Sequence, residues 1–593
     1  MLTEIQRQLN SSDYDFRAIA NPQDTLSHLF EDWVPYYRLK RAIAAAIKPE
    51  TILEIGVRFG YSAHAFLSGS PAARLIGVDL DVNTFGGESG AVGWAAQILP
   101  EEQCELIIGN SQLMQELPGG IHDLIHVDGQ QDGASTFHDL VLSSRQGRFI
   151  LVDGYMWTQD NFAGTNEFLW KFKEDIEWST MISGYAGELL IKIKDSVLKK
   201  PSGAKVEGSA AIVDLYDETY YRSNCGGWEF YEQAARRTFE DGRIRSMIDL
   251  LHRQPAARVL DLGCGRGEIA IFAASQGAEV TAIDYSQAAI DILEDACAEL
   301  TELPGTIHAI KGDATTFNDG RKYDAILAGD LVEHLAPSEL DRLYTNAAEL
   351  LAPNGQLILH TFPNRWNYDY AMPRLRRRIE SGGGSFEVNP RSRYELLMHI
   401  NEQNPRLMRR QIRQHFAHVE MWFGSPEDPA GSLHKHCSPQ ELAEFRDIYC
   451  VAGHQPINRT TLKEPFLAHE LTGVSVNLTA MGVPDTMKTS ESLQITVCLD
   501  NPSQSWLTTR GANPVFISYQ WRDADGNPLD EEGWRNPLVP SLGPGRSALY
   551  QVRIVSPNRP GRHQLNISTL QEHRFWIPTD SKDSIHSFTI DIQ

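Results

Sequence analysis

One short pattern of residues occurs twice in this chain and limits the possible folds more than any other feature. Each copy has an apolar strand that ends in an acidic residue, then a glycine turn, and then two further strands that each end in Asp or Asn. The copies stand about 205 residues apart. Since parallel strands place their carboxyl ends along one edge of a sheet, each copy predicts a βαβ unit with polar side chains gathered there. We therefore predict two similar nucleotide pockets on one polypeptide.

The polar residues of the pattern have the chemistry that a nucleoside requires. The acid that ends the second strand can accept hydrogen bonds from both hydroxyls of a ribose. The polar residue after the third strand can accept one from the amino group of adenine. The first copy consists of Glu54, Gly56, Gly60, Asp79 and Asn110, and the second of Asp261, Gly263, Gly265, Gly267, Asp284 and Asp313.

The glycine spacing distinguishes two kinds of nucleotide ligand. The second copy reads G-x-G-x-G from Gly263 to Gly267, whereas a dinucleotide site has its third glycine three residues after the second. Here that position holds Glu268, whose negative charge at a helix start would repel a pyrophosphate. The spacing favours a ligand without phosphates, and a nicotinamide-dependent reductase is the alternative.

At these residues the second copy resembles the class I S-adenosylmethionine-dependent methyltransferases, whose signature is matched by the run Asp261–Gly267. The resemblance covers residues 211–363. It implies that the glycine turn wraps the methionine part of S-adenosylmethionine, that Asp284 holds the ribose, and that Asp313 holds the adenine. Ala314 and Asp330 are included among the predicted cofactor-binding residues.

The first copy is similar to the sugar and small-molecule O-methyltransferases, whose fourth strand ends in Asp-Gly. Here the fourth strand ends at Asp128 and the fifth at Asp153. In the related metal-dependent enzymes the carboxylates at these two strand ends hold Mg²⁺, so the resemblance implies both as metal ligands. Asp128 is also a candidate catalytic residue. The chain departs from the pattern at Asn110, Gln131 and Gly154, which leaves open whether the first copy is active.

Methyl transfer to a hydroxyl group requires a base or a metal, because a sugar hydroxyl is a very weak acid. In the second copy His334 and His360 lie near the carboxyl ends of predicted strands, where open α/β sheets bind ligands. Imidazole titrates near neutrality, so both are candidate bases. A purely structural histidine is the alternative for each. Tyr220, Tyr221 and Trp228 precede the second array and are placed to close over a cofactor.

Changes of pattern along the chain predict four segments. Strand and helix signals alternate in the two copies, whereas short alternating strands separated by turns such as Asp525–Pro528 follow residue 465. The predicted fold class is α/β, with two doubly wound Rossmann-like methyltransferase domains plus a C-terminal all-β sandwich. The segments are residues 1–194, a linker at 195–210, a second domain at 211–464 with a helical cap from 363, and the sandwich at 465–593.

Composition excludes several classes of partner. The chain has 54 Lys and Arg against 78 Asp and Glu, a net charge of −24, which opposes binding to nucleic acid. No apolar run reaches the roughly 20 residues that a membrane helix needs. The 7 cysteines are scattered without a CxxC pair, so we expect reduced thiols and a cytoplasmic location. The oligomeric state is not predicted.

The acceptor is predicted from resemblances that are less specific than the cofactor-binding signature. Residues 360–366 and 399–403 resemble bacterial methyltransferases associated with cell-surface polysaccharide synthesis, and the sandwich resembles an accessory domain of such glycan proteins. Tryptophans of the sandwich that are exposed would stack on sugar rings. We therefore expect a two-headed methyltransferase acting on hydroxyl groups of a sugar or glycan precursor. The alternative is one active domain on a carbohydrate-binding scaffold. The four candidate tryptophans are Trp506, Trp521, Trp534 and Trp576.

Overall fold

The computed structural model describes residues 1–84, 86–198, 208–229, 231, 239, 241–300, 303–529, 533–580 and 584–593. The chain divides into two compact units. The first comprises Met1–Lys205 and Arg378–Arg393, and the second comprises Val206–Arg377 and Tyr394–Gln593. Within the predicted linker, residues 199–207 lie outside the described residues. No helix in the described part of the chain is both long enough and apolar enough to cross a membrane.

The first unit is an α/β domain built on one mixed sheet. Its strands are β1 (Thr51–Ile55), β2 (Arg74–Asp79), β3 (Cys104–Ile108), β4 (His122–Val127), β5 (Gly147–Val152), β6 (Ile176–Ile182) and β7 (Glu188–Ile193). Its helices are α1 (Leu2–Asn10), α2 (Phe30–Ile47), α3 (Tyr61–Gly69), α4 (Ala91–Ile98), α5 (Ala134–Gln146) and α6 (Gln159–Lys171). Short 3-10 turns lie at Phe16–Ala18, Ser27–Leu29 and Ser111–Leu113.

The strand order of this sheet is β3-β2-β1-β4-β5-β7-β6, with β7 antiparallel to both of its neighbours. The order reverses between β1 and β4, and open α/β sheets bind ligands at such a switch point. Ile43 of α2, Ile52 of β1 and Phe66 of α3 are fully buried in one apolar cluster on one face of the sheet. The core therefore fixes α2 and the first βα turn together.

The second unit contains an α/β domain with the same topology. Its strands are β8 (Arg258–Leu262), β9 (Glu279–Asp284), β10 (Thr306–Lys311), β11 (Tyr323–Gly329), β12 (Leu351–Thr361), β13 (His418–Gly424) and β14 (Asp447–Gly453), in the order β10-β9-β8-β11-β12-β14-β13. The helices are α7 (Gly242–His252), α8 (Glu268–Ser275), α9 (Gln287–Glu299), α10 (Pro337–Leu350), α11 (Met372–Ser381), α12 (Arg393–Met398), α13 (Pro405–His415), α14 (Pro439–Glu444) and α15 (Arg459–Lys463). Shorter turns lie at Gly208–Ala211, Val213–Leu215, Tyr220–Asn224, Val332–His334, Asn367–Ala371, Gly431–Leu433 and Glu464–Phe466.

The interval after residue 363, predicted as a helical cap, is not helical throughout. It contains β13 and β14, and β14 pairs antiparallel with β12 to complete the sheet. Every residue of β14 is buried, so this strand has no alternation of apolar and polar residues to reveal it. Residues 378–393 belong to the first unit, where Arg393 pairs with Asp175 at 2.6 Å. Both departures depend on long-range packing that the local sequence does not show.

The C-terminal segment is a β-sandwich, as predicted. Its strands are β15 (Asn477–Met481), β16 (Thr486–Met487), β17 (Ser492–Asn501), β18 (Val515–Arg522), β19 (Asn536–Pro537), β20 (Arg546–Val555), β21 (Gly561–Gln571), β22 (Phe575–Ile577) and β23 (Ser587–Ile592). One sheet has the order β15-β17-β20 and the other the order β16-β23-β21-β18-β19, with β22 on β21. Alternate residues of β17 and β20 face the shared core.

A buried ion pair attaches the sandwich to the second α/β domain. The Arg510 guanidinium donates to Asp249 of α7 at 3.0 Å and to the Ser246 hydroxyl at 3.1 Å. The other Asp249 oxygen accepts from the Ser541 backbone nitrogen at 2.7 Å. Since Asp249 is fully buried, these contacts supply the partners that its charge requires.

Candidate functional site

The first unit has a cavity of about 570 Å³ at the carboxyl ends of its central strands. Gly56, Asp79 and Asn110 line this cavity together with Asp128 and Asp153. Its volume lies in the range of sites for small molecules and cofactors. The structure thus brings together residues that the sequence places on five separate strand ends.

Two other residues predicted for this site make different contacts. Glu54 is fully buried, and its Oε1 lies 2.7 Å from Nδ1 of His126. Gly60 is the N-cap of α3 with φ of 79°, and a Cβ there would lie 2.8 Å from the Cβ of Ala95. Gly60 therefore allows α3 and α4 to approach closely, and Glu54 belongs to a charged cluster.

The acid at the end of β2 holds the glycine turn. Asp79 Oδ2 accepts hydrogen bonds from the backbone nitrogens of Val57 at 2.7 Å and Arg58 at 2.8 Å. Gly56 has φ of 88°, and a Cβ there would lie 2.0 Å from the carbonyl oxygen of Asp128. Only glycine fits at this position. Oδ1 of Asp79 accepts from the backbone nitrogen of Asp81 at 2.7 Å and keeps a second lone pair for a ligand hydroxyl.

A buried lysine joins the charged groups at the ends of β4 and β5. Lys40 of α2 is fully buried, and its Nζ lies 2.7 Å from Asp153 Oδ1 and 2.8 Å from His126 Nε2. An ammonium group only donates, so Nε2 of His126 accepts and its Nδ1 proton is donated to Glu54. Lys40 also donates to Glu188 at 3.3 Å. Sequence reasoning missed this cluster because its members are far apart in the chain.

Burial and mutual repulsion shift the pKa values of the carboxyl groups in this cluster. Burial, with the Asp153 carboxylate next in importance, raises the pKa of Asp128 well above its usual range. Burial also raises the pKa of Glu188 to about 7, against the opposing effect of Lys40. For Asp153 burial acts in the same upward direction, but the Lys40 ammonium and the hydrogen bonds outweigh it and hold its pKa well below the usual range. Asp153 is therefore the ionised partner of Lys40.

The residues present do not fit the predicted magnesium ion. His126, Asp128 and Asp153 place donor atoms within 4.8 Å of one another, as a metal site requires. The ammonium of Lys40, however, already lies within 2.8 Å of two of these three groups. A divalent cation at the same place would be repelled by the lysine charge. The expectation that Asp128 and Asp153 hold Mg²⁺ is therefore not supported.

Aromatic side chains form another part of the cavity wall. Trp33, Tyr36, Trp157 and Tyr185 line the cavity. The rings of Trp157 and Tyr185 are stacked, with centroids 5.6 Å apart and planes 24° apart. Flat aromatic surfaces of this kind bind the apolar faces of ring-shaped ligands.

In the second unit, Asp284 has the same contact with its glycine turn as Asp79 has in the first. Its Oδ2 accepts from the backbone nitrogen of Gly265 at 2.9 Å, and its Oδ1 accepts from Ser286 at 2.8 Å. The hydroxyl of Tyr221 donates to Oδ1 at 3.4 Å. The predicted aromatic neighbour of the site, Tyr221, therefore lies beside the predicted ribose acid.

The three glycines of the second turn have different reasons to be glycine. A Cβ on Gly263 would lie 2.9 Å from Leu331, and one on Gly267 would lie 2.3 Å from Leu293. A Cβ on Gly265 would meet only the Tyr221 ring, at 3.8 Å. Gly263 and Gly267 therefore permit close packing, whereas Gly265 borders open space where a ligand can approach the backbone.

The remaining predicted cofactor residues lie at neighbouring strand ends. Asp261 Oδ2 is buried and has no hydrogen-bond partner among the described residues. Burial, with the charges of Glu268 and Asp284, raises the pKa of Asp261 to about 7. Asp313 follows β10 and accepts from the Thr315 backbone nitrogen at 2.8 Å. An unsatisfied acceptor under the glycine turn fits a ligand that carries a polar or cationic group.

His360 is held between two carboxylates. Its Nδ1 lies 2.6 Å from Asp330 Oδ1 and its Nε2 lies 3.2 Å from Asp447 Oδ2. The other oxygen of Asp330 accepts from Arg243 of α7 at 2.9 Å. Burial opposes protonation of His360, but Asp330 and Asp447 raise its pKa to about 10. It therefore carries a proton near neutral pH, which favours a role in holding Asp330 over the predicted role of a base.

His334 has the properties of a base. Its Nδ1 lies 3.0 Å from the carbonyl oxygen of Met398 and donates to it, so Nε2 carries the lone pair. Burial lowers the pKa of His334, which keeps the ring neutral near neutral pH. The rings of Tyr216 and His399 lie 5.7 Å and 4.8 Å away. Glu333, His334 and His399 also place donor atoms within 4.8 Å of one another, a grouping that sequence reasoning missed.

Comparison with known proteins places this second site in a methyltransferase domain. Residues 259–355 match the family model described as "Methyltransferase domain". Ubiquinone biosynthesis O-methyltransferase of Rickettsia akari is 31% identical over 118 residues, which are 19% of this chain and 43% of the relative. Cyclopropane-fatty-acyl-phospholipid synthase of Escherichia coli K12 is 23% identical over 149 residues, 25% of this chain and 37% of the relative. The chain thus spans less than half the length of these curated relatives.

Two solved methyltransferase structures align with part of this chain. A TehB-like SAM-dependent methyltransferase from Corynebacterium glutamicum aligns with a TM-score of 0.26 and 16% identity, over 40% of this chain and 100% of that chain. The O-methyltransferase TomG from Streptomyces achromogenes aligns with a TM-score of 0.24 and 18% identity, over 32% of this chain and 96% of that chain. The two α/β domains have the same strand order. The family model that matches within the second of them is that of a methyltransferase domain.

Proposed function

We propose that this chain transfers methyl groups from S-adenosylmethionine to hydroxyl groups of a sugar or glycan precursor, with one cofactor site in each α/β domain. The observation that carries the proposal is the contact between the second-strand acid and the glycine turn. Asp79 makes it in the first domain and Asp284 in the second. The same geometry at the same switch point supports the same ligand in both domains.

The proposed cofactor contacts follow the strand ends. In the second domain Asp284 would bind the ribose hydroxyls, Asp313 and Ala314 the adenine, and the turn from Asp261 to Gly267 the methionine part. In the first domain Asp79 would bind the ribose, Asn110 the adenine and Gly56 the methionine part, since all three residues line the cavity. When bound, S-adenosylmethionine supplies an electrophilic methyl group.

Proton removal in the second domain is assigned to His334. Nε2 of His334 would accept the proton of the acceptor hydroxyl group when that group receives the methyl group. The hydrogen bond to Met398 O fixes the tautomer that this step needs. Arg243 and Asp330, together with the buried His360, would fix the strand ends beside the acceptor.

The acceptor proposal is supported by aromatic surfaces. Trp157 is 57% exposed and stacks with Tyr185 at the first cavity, which suits a sugar ring. On the sandwich, Trp534 and Trp576 are 49% and 45% exposed, whereas Trp521 is buried in the core. We propose that the two exposed tryptophans bind glycan and that Trp521 has a packing role.

A second candidate function is favoured by one observation. In the first domain the imidazole of His126 is engaged on both nitrogens, by Lys40 and by Glu54, so this histidine has no free site for an acceptor proton. The chain would then have one active methyltransferase domain on a carbohydrate-binding scaffold. If both domains are active, Asp79→Ala should reduce methyl transfer. If only the second domain is active, this substitution should leave methyl transfer unchanged.

Calorimetric titration with S-adenosylmethionine tests the main proposal. The wild-type chain should bind at two sites, and Asp79→Ala and Asp284→Ala should each lose one of them. Incubation with nucleotide sugars and lipid-linked glycans, followed by mass spectrometry, identifies the acceptor. Absence of S-adenosylmethionine binding together with tight NAD binding would overturn the proposal.

A further inference from the structure

We propose that the ammonium group of Lys40 takes the place of a divalent cation in the first α/β domain, so that this site operates without a metal. The inference rests on the proposed function for the reaction that the site would serve. It concerns the group that neutralises and positions the carboxylates at the ends of β4 and β5. In this role Lys40 is a positioning residue.

Each of the three N–H bonds of the Lys40 ammonium group has an acceptor. Nζ lies 2.7 Å from Asp153 Oδ1, 2.8 Å from His126 Nε2 and 3.3 Å from Glu188 Oε1. Since an ammonium group has three donors, each has an acceptor. The side chain is fully buried, so water does not compete for these partners. The set is therefore satisfied without an additional cation.

Two residues on one face of α2 hold Asp153. Tyr36 and Lys40 are four residues apart and so lie on the same side of the helix. The Tyr36 hydroxyl donates to Asp153 Oδ1, the same oxygen that receives the lysine proton. The Lys40 ammonium also lies 4.4 Å from the centre of the Tyr36 ring, a cation–π contact. Helix α2 therefore provides both the Lys40 ammonium group and the Tyr36 ring that packs against it.

The charge balance explains why a cation is needed here. The carboxyl groups of Asp128, Asp153 and Glu188 surround Lys40, and all three interact electrostatically with it. Those of Asp153 and Glu188 are buried. Uncompensated carboxylates are costly to bury. A covalently attached ammonium meets this requirement at all metal concentrations, and leaves Asp128 as the carboxyl group of this set that faces the cavity without a bond to Lys40.

Manganese binding to the full-length chain, followed by electron paramagnetic resonance, tests the inference. Wild type and Asp153→Asn should bind the same amount of Mn²⁺, because Asp153 already has its cation. Lys40→Ala should gain a bound Mn²⁺, because the vacated space is surrounded by His126, Asp128 and Asp153. The double variant Lys40→Ala/Asp153→Asn should lose that gain. The comparison with Asp153→Asn removes any contribution of ions bound elsewhere.

Two further measurements keep the test decisive. Lys40→Met fills the same volume without the charge and serves as the matched control, and Lys40→Arg retains the charge and should bind no additional Mn²⁺. If Lys40→Ala does not fold, the amounts of Mn²⁺ bound by wild type and by Asp153→Asn still show whether Asp153 holds a metal ion. A wild-type Mn²⁺ site that Asp153→Asn abolishes would overturn the inference. None of these readouts requires turnover, so failure of the proposed function is detected separately, by the absence of S-adenosylmethionine binding.

Discussion

The two α/β domains share a scaffold but arrange their charges differently. In each, a basic residue from the helix before the first strand reaches a carboxylate at a central strand end: Lys40 reaches Asp153, and Arg243 reaches Asp330. At the end of the fifth strand the sign of the charge is reversed, because the first domain has Asp153 and the second has His360. The shared fold therefore places Asp79 and Asp284 at equivalent strand ends, and the charged groups at the fourth and fifth strands distinguish the two domains.

The largest expected effect concerns His334, the proposed general base of the second domain. His334→Gln should lower kcat of that domain by about 10²–10⁴-fold, as for loss of a general base. Since burial lowers the pKa of His334, wild-type activity should persist below the ordinary histidine pKa and fall only at lower pH. Rates measured from about pH 5 to 8 check this. The exposed His436→Gln is the control, and equal rates for His334→Gln and wild type would contradict the assignment.

The next effect concerns the stability of the first domain. Lys40→Met should lower its free energy of unfolding by about 3–5 kcal/mol, because the carboxylate of Asp153 loses its buried partner. Lys173→Met, at an exposed position, should change it by less than about 0.5 kcal/mol. Chemical denaturation followed by tryptophan fluorescence measures both. Equal stabilities of the two variants would show that Lys40 does not compensate the cluster.

Binding of the cofactor should depend on the two equivalent acids to the same extent. Asp79→Ala and Asp284→Ala each remove an ionised hydrogen-bond acceptor for the ribose, which corresponds to about 10–100-fold weaker binding at the affected site. Calorimetry with S-adenosylhomocysteine measures this, with the exposed Glu101→Ala and Asp295→Ala as controls. If Asp79→Ala had no effect on binding stoichiometry, the first domain would not be a cofactor site.

The smallest expected effect is a dependence of stability on pH in the second domain. His360 has a folded-state pKa of about 10, above its ordinary value of about 6.5. Its ion pairs with Asp330 and Asp447 therefore stabilise the folded state fully below the ordinary pKa, and this contribution decreases as the pH rises toward the folded-state pKa. Unfolding at about pH 6 and about pH 9.5 should show the decrease in wild type but not in His360→Gln. The same slope in both would exclude His360 as its source.

Most of the scaffold could be predicted from local patterns. The apolar runs that form β1, β8 and β9 end in acids followed by glycine turns, and this combination predicts both the strand and its functional end. Strand β14 could not be predicted in this way because no acid followed by a glycine turn marks its end, and because complete burial leaves it no alternation of apolar and polar residues. Its place beside β12 depends on pairing with a strand about 90 residues earlier in the chain.

The charged clusters could not be predicted, for a related reason. Lys40 and Asp153 are 113 residues apart, and Arg243 and Asp330 are 87 apart. Lys40 lies between Arg38 and Arg41 in α2, and such a lysine gives no local sign of its partner, since exposed lysines occur in similar sequences. The expectation that Asp128 and Asp153 hold magnesium took no account of Lys40, because this lysine comes from a distant helix.

The sequence by itself determined the two parallel-sheet scaffolds, the β-sandwich and the strand-end acids, because hydrophobic periodicity and glycine turns act over a few neighbouring residues. Only the tertiary structure decided which charges meet at the strand ends, which histidine lies between two carboxylates, and which basic side chain contacts the carboxylates of the first domain. Those properties depend on distance and burial between groups that folding brings together, and Coulomb interactions and desolvation become large only there.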